Sequence, residues 1–324
     1  MSHIFLSAKI PTIGTKLLDE AHLDYEVFED KGVISKEELL KKVQDCQVLI
    51  CPLSTTVDRE VINQAPHLRL IANFGAGFNN IDTAYAKEKN IYVTNTPVVS
   101  TNATAELTAG LIIALSRRIV EGDRLMHGVG FDGWAPLFFL GHELKGKTLG
   151  IIGMGQIGQS LAEKMKAFGM KIIYSQRHQL PAEQEKALHA QFRTQEEVIQ
   201  QSDILSLHAP LTDETHHLLN YQAFEQMKNS AFVINAARGP LIDEEELVQA
   251  LTQQQIAGAA LDVYEFEPEV TMALKQFDNV ILTPHIGNAS VEARDQMAEI
   301  VVKNAIACLQ KKPLNYIVNG LSQD

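Results

Sequence analysis

The chain has 324 residues, with 28 Lys and Arg against 40 Asp and Glu, a formal net charge of −12. That acidic balance lacks the basic footprint of a general nucleic-acid binder, and no apolar run reaches the roughly 18 residues of a membrane span. At 45% hydrophobic and 21% charged, the composition is that of a globular protein, and the length suits two domains of about 150 residues each.

The N-terminus, MSHIFLSAKI, has no basic region ahead of an apolar core, so it reads as a first strand and not as a secretory signal. HIFLSAKI, DYEVF, VLICPL, LRLIANFG and IYVTNT read as strands, and SKEELLKKVQ, REVINQA and DTAYAKEK read as helices between them. Strands separated by single helices predict βαβ units and a parallel sheet. Cys46, Cys51 and Cys308 have no metal-type spacing. They are expected to be buried or semi-buried thiols in a reducing cytoplasm, and no metal site is expected.

Helical periodicity runs from Thr104 to Leu125, and the chain then breaks into GVGFDGWAPLFFLG, a linker or an arm. A second alternating series begins at Lys147. TLGIIG, MKIIYS, ILSLHAP, AFVINAA, GAALDV and NVILTPHI read as its strands, and QSLAEKMKAFG and DEEELVQALTQQQ as helices. One long helix is expected from Val291 to Leu309, placed to return to the first domain.

In TLGIIGMGQIG a strand hands over to a helix through Gly153, Gly155 and Gly158. The first glycine permits a tight turn. The second lets a pyrophosphate approach the backbone, and the third lets helix and strand pack closely. The free amides at the helix start then face the anion. An NAD-binding chain should end its next strand in Asp or Glu, to accept hydrogen bonds from the ribose 2′-OH. MKIIYS ends instead in Ser175, followed by Gln176, Arg177 and His178. Serine does not repel a 2′-phosphate, and Arg177 can pair with one. NADP(H) is therefore the expected preferred cofactor, with NAD(H) as the second.

Three later strands are each followed by unusual residues: INAARGPLIDEEEL carries Arg238, GAALDVYEFEP carries Asp262 and Glu267, and ILTPHIGNAS carries His285. Ligands of doubly wound sheets sit beyond the carboxyl ends of the strands. Reduction of a 2-keto acid needs a cation for the carboxylate and ketone, for which the planar fork of arginine is suited. It needs a proton donor, for which histidine titrates in the right range. A glutamate beside that histidine favours imidazolium and fixes its tautomer.

With NFGAGFNNID, TNATAELTAGLIIALSRR, LHAPLTDETHHLLN, NAARGPLIDEEELVQAL, ALDVYEFEP and TPHIGNAS, the chain resembles the D-isomer-specific 2-hydroxyacid dehydrogenases over nearly its whole length. The resemblance implies an α/β fold of two Rossmann-like, doubly wound parallel-sheet domains, the nucleotide-binding one (101–287) inserted into a substrate domain (1–100 and 288–324). It implies that Arg238 binds carboxylate and ketone, that His285 is the acid and that Glu267 braces it. It further implies that Asp262 holds the nicotinamide carboxamide and that Gly155, Gln156 and Ile157 line the pyrophosphate. Thr104, His208, Ala209, Pro210, Thr215 and Ala236 are then expected along the cofactor. Leu53 and the amides of Ala76 and Gly77 are expected at the substrate, and a hinge between domains should close on it.

The resemblance also implies a homodimer with residues 128–140 as the exchanged arm, acting on a small 2-keto or 2-hydroxy acid such as glyoxylate or hydroxypyruvate. Two positions depart from the family's usual pattern, Ser175 in place of an aspartate and Asn102 in TNATAE. A non-catalytic, dinucleotide-sensing binding protein of the same fold is the alternative, and an assay of NADPH oxidation separates the two.

Overall fold

The computed structural model describes residues 4–30 and 32–323; His3, the first residue of the expected strand HIFLSAKI, lies outside them. The chain divides into two compact units, residues 1–100 with 288–324 and residues 101–287. The first unit begins β1 (Ile4–Leu6), α1 (Thr12–Glu20), β2 (Tyr25–Val27), α2 (Lys36–Lys42) and β3 (Val48–Pro52). It continues α3 (Arg59–Asn63), β4 (Leu70–Phe74), α4 (Thr83–Glu88) and β5 (Tyr92–Thr94). The strands pair in parallel in the order β2-β1-β3-β4-β5. Every residue of β4 is buried, as a parallel strand covered on both faces requires. Side-chain caps start the helices: Ser35 accepts from the Glu38 amide, Asp58 from Glu60 and Val61, and Asp82 from Tyr85.

The second unit opens with two helices, α5 (Thr101–Ser116) and α6 (Ile119–His127), where periodicity predicted one. The break has a long-range cause. The His142 amide donates to the Ser116 carbonyl at 2.8 Å, capping α5 from a segment that the sequence places far away. Arg118 then turns at φ +54° and lays its guanidinium over the Phe139 ring, 4.1 Å from the centroid.

The chain continues β6 (Thr148–Ile152), α7 (Gln156–Ala167), β7 (Lys171–Ser175), α8 (Ala182–Leu188), β8 (Ala190–Phe192) and α9 (Gln195–Gln201). It closes the series with β9 (Ile204–Leu207), α10 (Tyr221–Gln226), β10 (Phe232–Asn235), α11 (Glu244–Thr252), β11 (Gly258–Leu261) and β12 (Val280–Leu282). The parallel order is β12-β11-β10-β9-β6-β7-β8, so the strand order reverses at β6 beside β9, the place where such sheets bind ligands. Successive residues of β10 feed opposite cores. Val233 packs with Leu219, Phe224 and Leu247, whereas Ile234 packs with Ile112, Leu161 and Met165. Each such fully buried aliphatic side chain contributes about 1.5–3 kcal/mol.

The chain then returns to the first unit through α12 (Val291–Leu309), capped by Ser290. Met297, Val301, Val302 and Ala305 of α12 pack against Ile4, Leu6, Val48, Ile50 and Leu70 on one face of the five-stranded sheet. The cysteines are free and buried, and burial pushes the Cys46 and Cys51 thiols up to about 12. No helix among the described residues is long and apolar enough to cross a membrane.

Candidate active site

Two of the three glycines of the β6–α7 turn are required by the fold, and the third borders open space. Gly153 has φ +97°, and a Cβ there would lie 2.5 Å from the Ala209 nitrogen. A Cβ on Gly158 would lie 2.5 Å from the Gly153 carbonyl oxygen, so only glycine lets α7 pack this closely. A Cβ on Gly155 meets nothing within 4 Å. That open side, and the absence of any side-chain cap on α7, leave the first amides of the helix, at Gln156 and Ile157, open to a bulky anion. The pyrophosphate of a dinucleotide fits such a turn.

Past β7, Ser175 is partly buried and Arg177 exposed. The Tyr174 hydroxyl, pushed up to about 12 by burial and by its bond to Glu185, donates to the Glu185 carboxylate at 2.7 Å and accepts from the Leu180 amide at 2.8 Å. This fixes the turn that carries Arg177. His208, Ala209 and Pro210 follow β9. The His208 Nε2 lies 2.9 Å from the Ser206 hydroxyl, and burial pushes the imidazole down to about 4, so it is neutral at neutral pH. Thr215 donates to the Pro210 carbonyl at 2.7 Å and closes that turn. Ala236 follows β10, and Thr104 is buried in α5, 3.4 Å from where a Cβ on Gly287 would stand.

Arg238, Glu267 and His285 are all carried by segments beyond the carboxyl ends of neighbouring strands β10, β11 and β12. His285 Nδ1 lies 2.9 Å from Glu267 Oε2, and both side chains are about one-third exposed. The other Glu267 oxygen accepts the Tyr264 amide at 3.0 Å. Burial alone would raise the Glu267 carboxyl. The bond and charge of His285, the Tyr264 amide and the charge of Arg238 outweigh it and hold the group below its usual range. Burial pulls the Arg238 guanidinium below its usual value, and the charge of Glu267 opposes this.

Asp262 is fully buried, and its carboxylate accepts from the Thr283 hydroxyl at 2.6 Å and from the Ile286 and Gly287 amides at 2.8 and 2.7 Å. It therefore fastens both ends of the turn on which His285 sits at φ +52°, a conformation that needs such support in a non-glycine residue.

A second set of groups behind this site was not foreseen. The Glu265 amide donates to Glu244 Oε1 at 2.8 Å, and the Glu244 amide returns a bond to Glu265 Oε2 at 3.2 Å. His217 Nε2 lies 2.7 Å from Glu265 Oε1 and its Nδ1 3.4 Å from Asp243 Oδ2. The clasp ties the start of α11 to the segment that leads to Glu267. A Cβ on Gly239 would lie 1.8 Å from the Tyr264 carbonyl oxygen, so the residue after Arg238 must be glycine for the two segments to meet.

Leu53, Ala76 and Gly77 belong to the five-stranded unit, after β3 and β4. Asn73 donates to the Gly77 carbonyl at 2.6 Å and Asn95 to the Ala76 carbonyl at 2.7 Å. Both carbonyls are thus tied back to side chains of the same unit.

The sequence model of the NAD-binding domain of D-isomer specific 2-hydroxyacid dehydrogenases matches residues 109–287. A protein of Staphylococcus haemolyticus assigned by name to the 2-hydroxyacid dehydrogenases is 50% identical over 319 residues, 98% of this chain and 100% of the relative. A Thermus thermophilus crystal structure superposes with a TM-score of 0.92 at 38% identity, covering 97% of this chain and 99% of the other. An NADPH-dependent glyoxylate/hydroxypyruvate reductase from Sinorhizobium meliloti, solved with NADP and malonate, superposes at 0.81 with 29% identity, covering 98% and 96%.

Proposed function

The chain belongs to the D-isomer-specific 2-hydroxyacid dehydrogenases, enzymes of nicotinamide dinucleotides, and from that premise we propose that it reduces a small 2-keto acid to the D-2-hydroxy acid with a preference for NADPH. The observation that carries the reading is the 2.9 Å His285–Glu267 pair at one sheet edge with Arg238. When bound at the Gly153–Gly158 turn, the reduced dinucleotide supplies a hydride. Arg238 binds the substrate carboxylate and polarises the ketone through its planar fork. His285, protonated, gives its proton to the ketone oxygen, which becomes the hydroxyl. Glu267 holds the imidazole in the donor state and tautomer, and Asp262 holds the turn beneath it. A panel of glyoxylate, hydroxypyruvate and larger aliphatic 2-keto acids, with chiral analysis of the product, tests the substrate class; an L-hydroxy acid product would overturn it.

For the cofactor, Ser175 stands where a carboxylate would repel a 2′-phosphate, and Arg177 is available to bind one. A charge-assisted hydrogen bond is worth about 1.5–3 kcal/mol. Arg177→Ala is therefore expected to lower kcat/KM for NADPH by roughly 10- to 150-fold and to leave NADH within about twofold. A wild-type preference for NADH would end this reading.

The chain is also expected to act as a homodimer. Val129, Trp134 and Leu137 in the arm expose 84% or more of their surface, an apolar load that a second copy would cover. Sedimentation velocity should give twice the chain mass for the wild type. It should give a monomer, or a concentration-dependent mixture, for a Trp134→Ser/Leu137→Ser variant; an unaltered dimer in that variant would contradict the assignment of the arm.

A further inference from the structure

We propose that Glu214 sets the discrimination between NADP(H) and NAD(H) by competing with the 2′-phosphate for Arg177. The inference rests on the cofactor reading above and adds a residue to it. Arg177 follows β7 and Glu214 lies in the turn after β9. These strands flank β6, whose glycine turn starts α7. Arg177 Nη2 donates to Glu214 Oε2 at 3.3 Å, across 37 positions of sequence. An arginine and a carboxylate from the loops on either side of the switch strand therefore meet across the mouth of the nucleotide turn.

The two partners are held differently. The Thr212 hydroxyl donates to the same Glu214 oxygen at 2.7 Å. The Thr212 amide donates to the Thr215 hydroxyl oxygen at 2.8 Å, and Thr215 closes on the Pro210 carbonyl. Glu214 is thus fixed by its own turn, and the Thr212 bond, a backbone amide and the charge of Arg177 keep its carboxyl below the usual range. The pair itself is exposed, with 74% and 72% of the two side chains open to water. Solvent-screened pairs of this kind are weak and exchange readily.

A 2′-phosphate carries more charge than one carboxylate and offers several acceptor oxygens, so it takes Arg177 from Glu214. The exchange has a cost, because the bond to Glu214 is lost and the phosphate then stands near a fixed negative charge. NAD(H) presents a hydroxyl there and leaves the pair in place. Glu214 in this way weakens NADP(H) binding without weakening NAD(H), and narrows the preference that Arg177 creates.

The test is isothermal titration of NADP+ and NAD+ into the wild type, Glu214→Gln, Arg177→Ala and the double variant at low ionic strength. Thermal melts confirm folding of these surface variants. Glu214→Gln should tighten NADP+ by roughly 2- to 5-fold, the range of an exposed pair, and leave NAD+ within about twofold. In the Arg177→Ala background the gain should shrink, and in the single variant it should fade as salt is raised. Unchanged or weaker NADP+ binding in Glu214→Gln, or an equal gain for NAD+, would overturn the inference. So would an equal gain without Arg177, which would mean plain repulsion and no competition. The underlying cofactor reading fails separately: it falls if Arg177→Ala alone leaves NADP+ affinity intact, whatever Glu214→Gln does.

Discussion

Arg238→Ala is expected to lower kcat/KM for the keto acid by roughly 30- to several-thousand-fold, corresponding to the roughly 2–5 kcal/mol lost when one partner of a buried charge pair is removed. The guanidinium is already drawn away from water, and burial pulls it below its ordinary value. Its own contacts keep it in place without satisfying it: Nη1 donates to the Ala237 carbonyl at 2.6 Å, and the Asn235 amide group ties the Arg238 carbonyl at 2.9 Å. The remaining donors are free to take a carboxylate in a bidentate contact. Because the same group is proposed to bind the carboxylate and to polarise the ketone, the loss should appear in KM and in kcat together. Arg238→Lys should recover only part of it, since an ammonium has no planar fork. Near-normal kcat/KM in Arg238→Ala would show that another cation receives the substrate.

His285→Ala is expected to lower kcat by about 10²- to 10⁴-fold, the usual worth of a positioned general acid, with a small effect on KM. Glu267→Gln tests the pairing. The carboxylate holds the His285 ring through the 2.9 Å contact at Nδ1, so the variant should lower kcat for the keto acid with little change in dinucleotide affinity. In the wild type, the bond and charge of His285, the Tyr264 amide and the charge of Arg238 outweigh burial and hold the Glu267 carboxyl below its usual range. The stability linked to Glu267 follows the same sign. With its folded-state value depressed, the contribution is present above the unfolded value and is lost as pH falls through the folded one. An unchanged kcat in Glu267→Gln would remove Glu267 from this role.

Much of this was legible in the chain itself because it is written locally. Most strands of the two sheets are short apolar runs, though β8 (Ala190–Phe192), three residues long with Gln191 exposed, gives no such signal, and Gly153, Gly155 and Gly158 mark the nucleotide turn by spacing alone. Arg238, Glu267 and His285 stand out because each follows a strand of one parallel sheet. Helix α9 also carries a local sign of its start: Thr194 and Glu197 form a capping box.

Other features depend on partners distant in sequence. Helix α1 contains Gly14, a poor helix residue, yet a Cβ there would meet Ile10 at 2.7 Å and Ala298 of α12 at 3.2 Å. The end of α5 is set by the amide of His142, beyond the whole arm. The Glu244–Glu265 clasp, the His217–Glu265 contact and the Arg177–Glu214 pair join residues 21, 48 and 37 positions apart. No spacing rule connects such pairs, because the sheet order and not the chain makes them neighbours. Asp262 was recognisable as a candidate site residue, but its bonds to the turn under His285 depend on that turn being folded.

The central claim is that this constellation performs chemistry and does not merely sense a dinucleotide. Absorbance at the NADPH band, followed with purified protein and a panel of 2-keto acids, tests it most directly. The account predicts NADPH oxidation that depends on the keto acid and falls by about 10²- to 10⁴-fold in His285→Ala while that variant still binds the dinucleotide. Tight dinucleotide binding by the wild type, with no oxidation on any 2-keto acid, would contradict it.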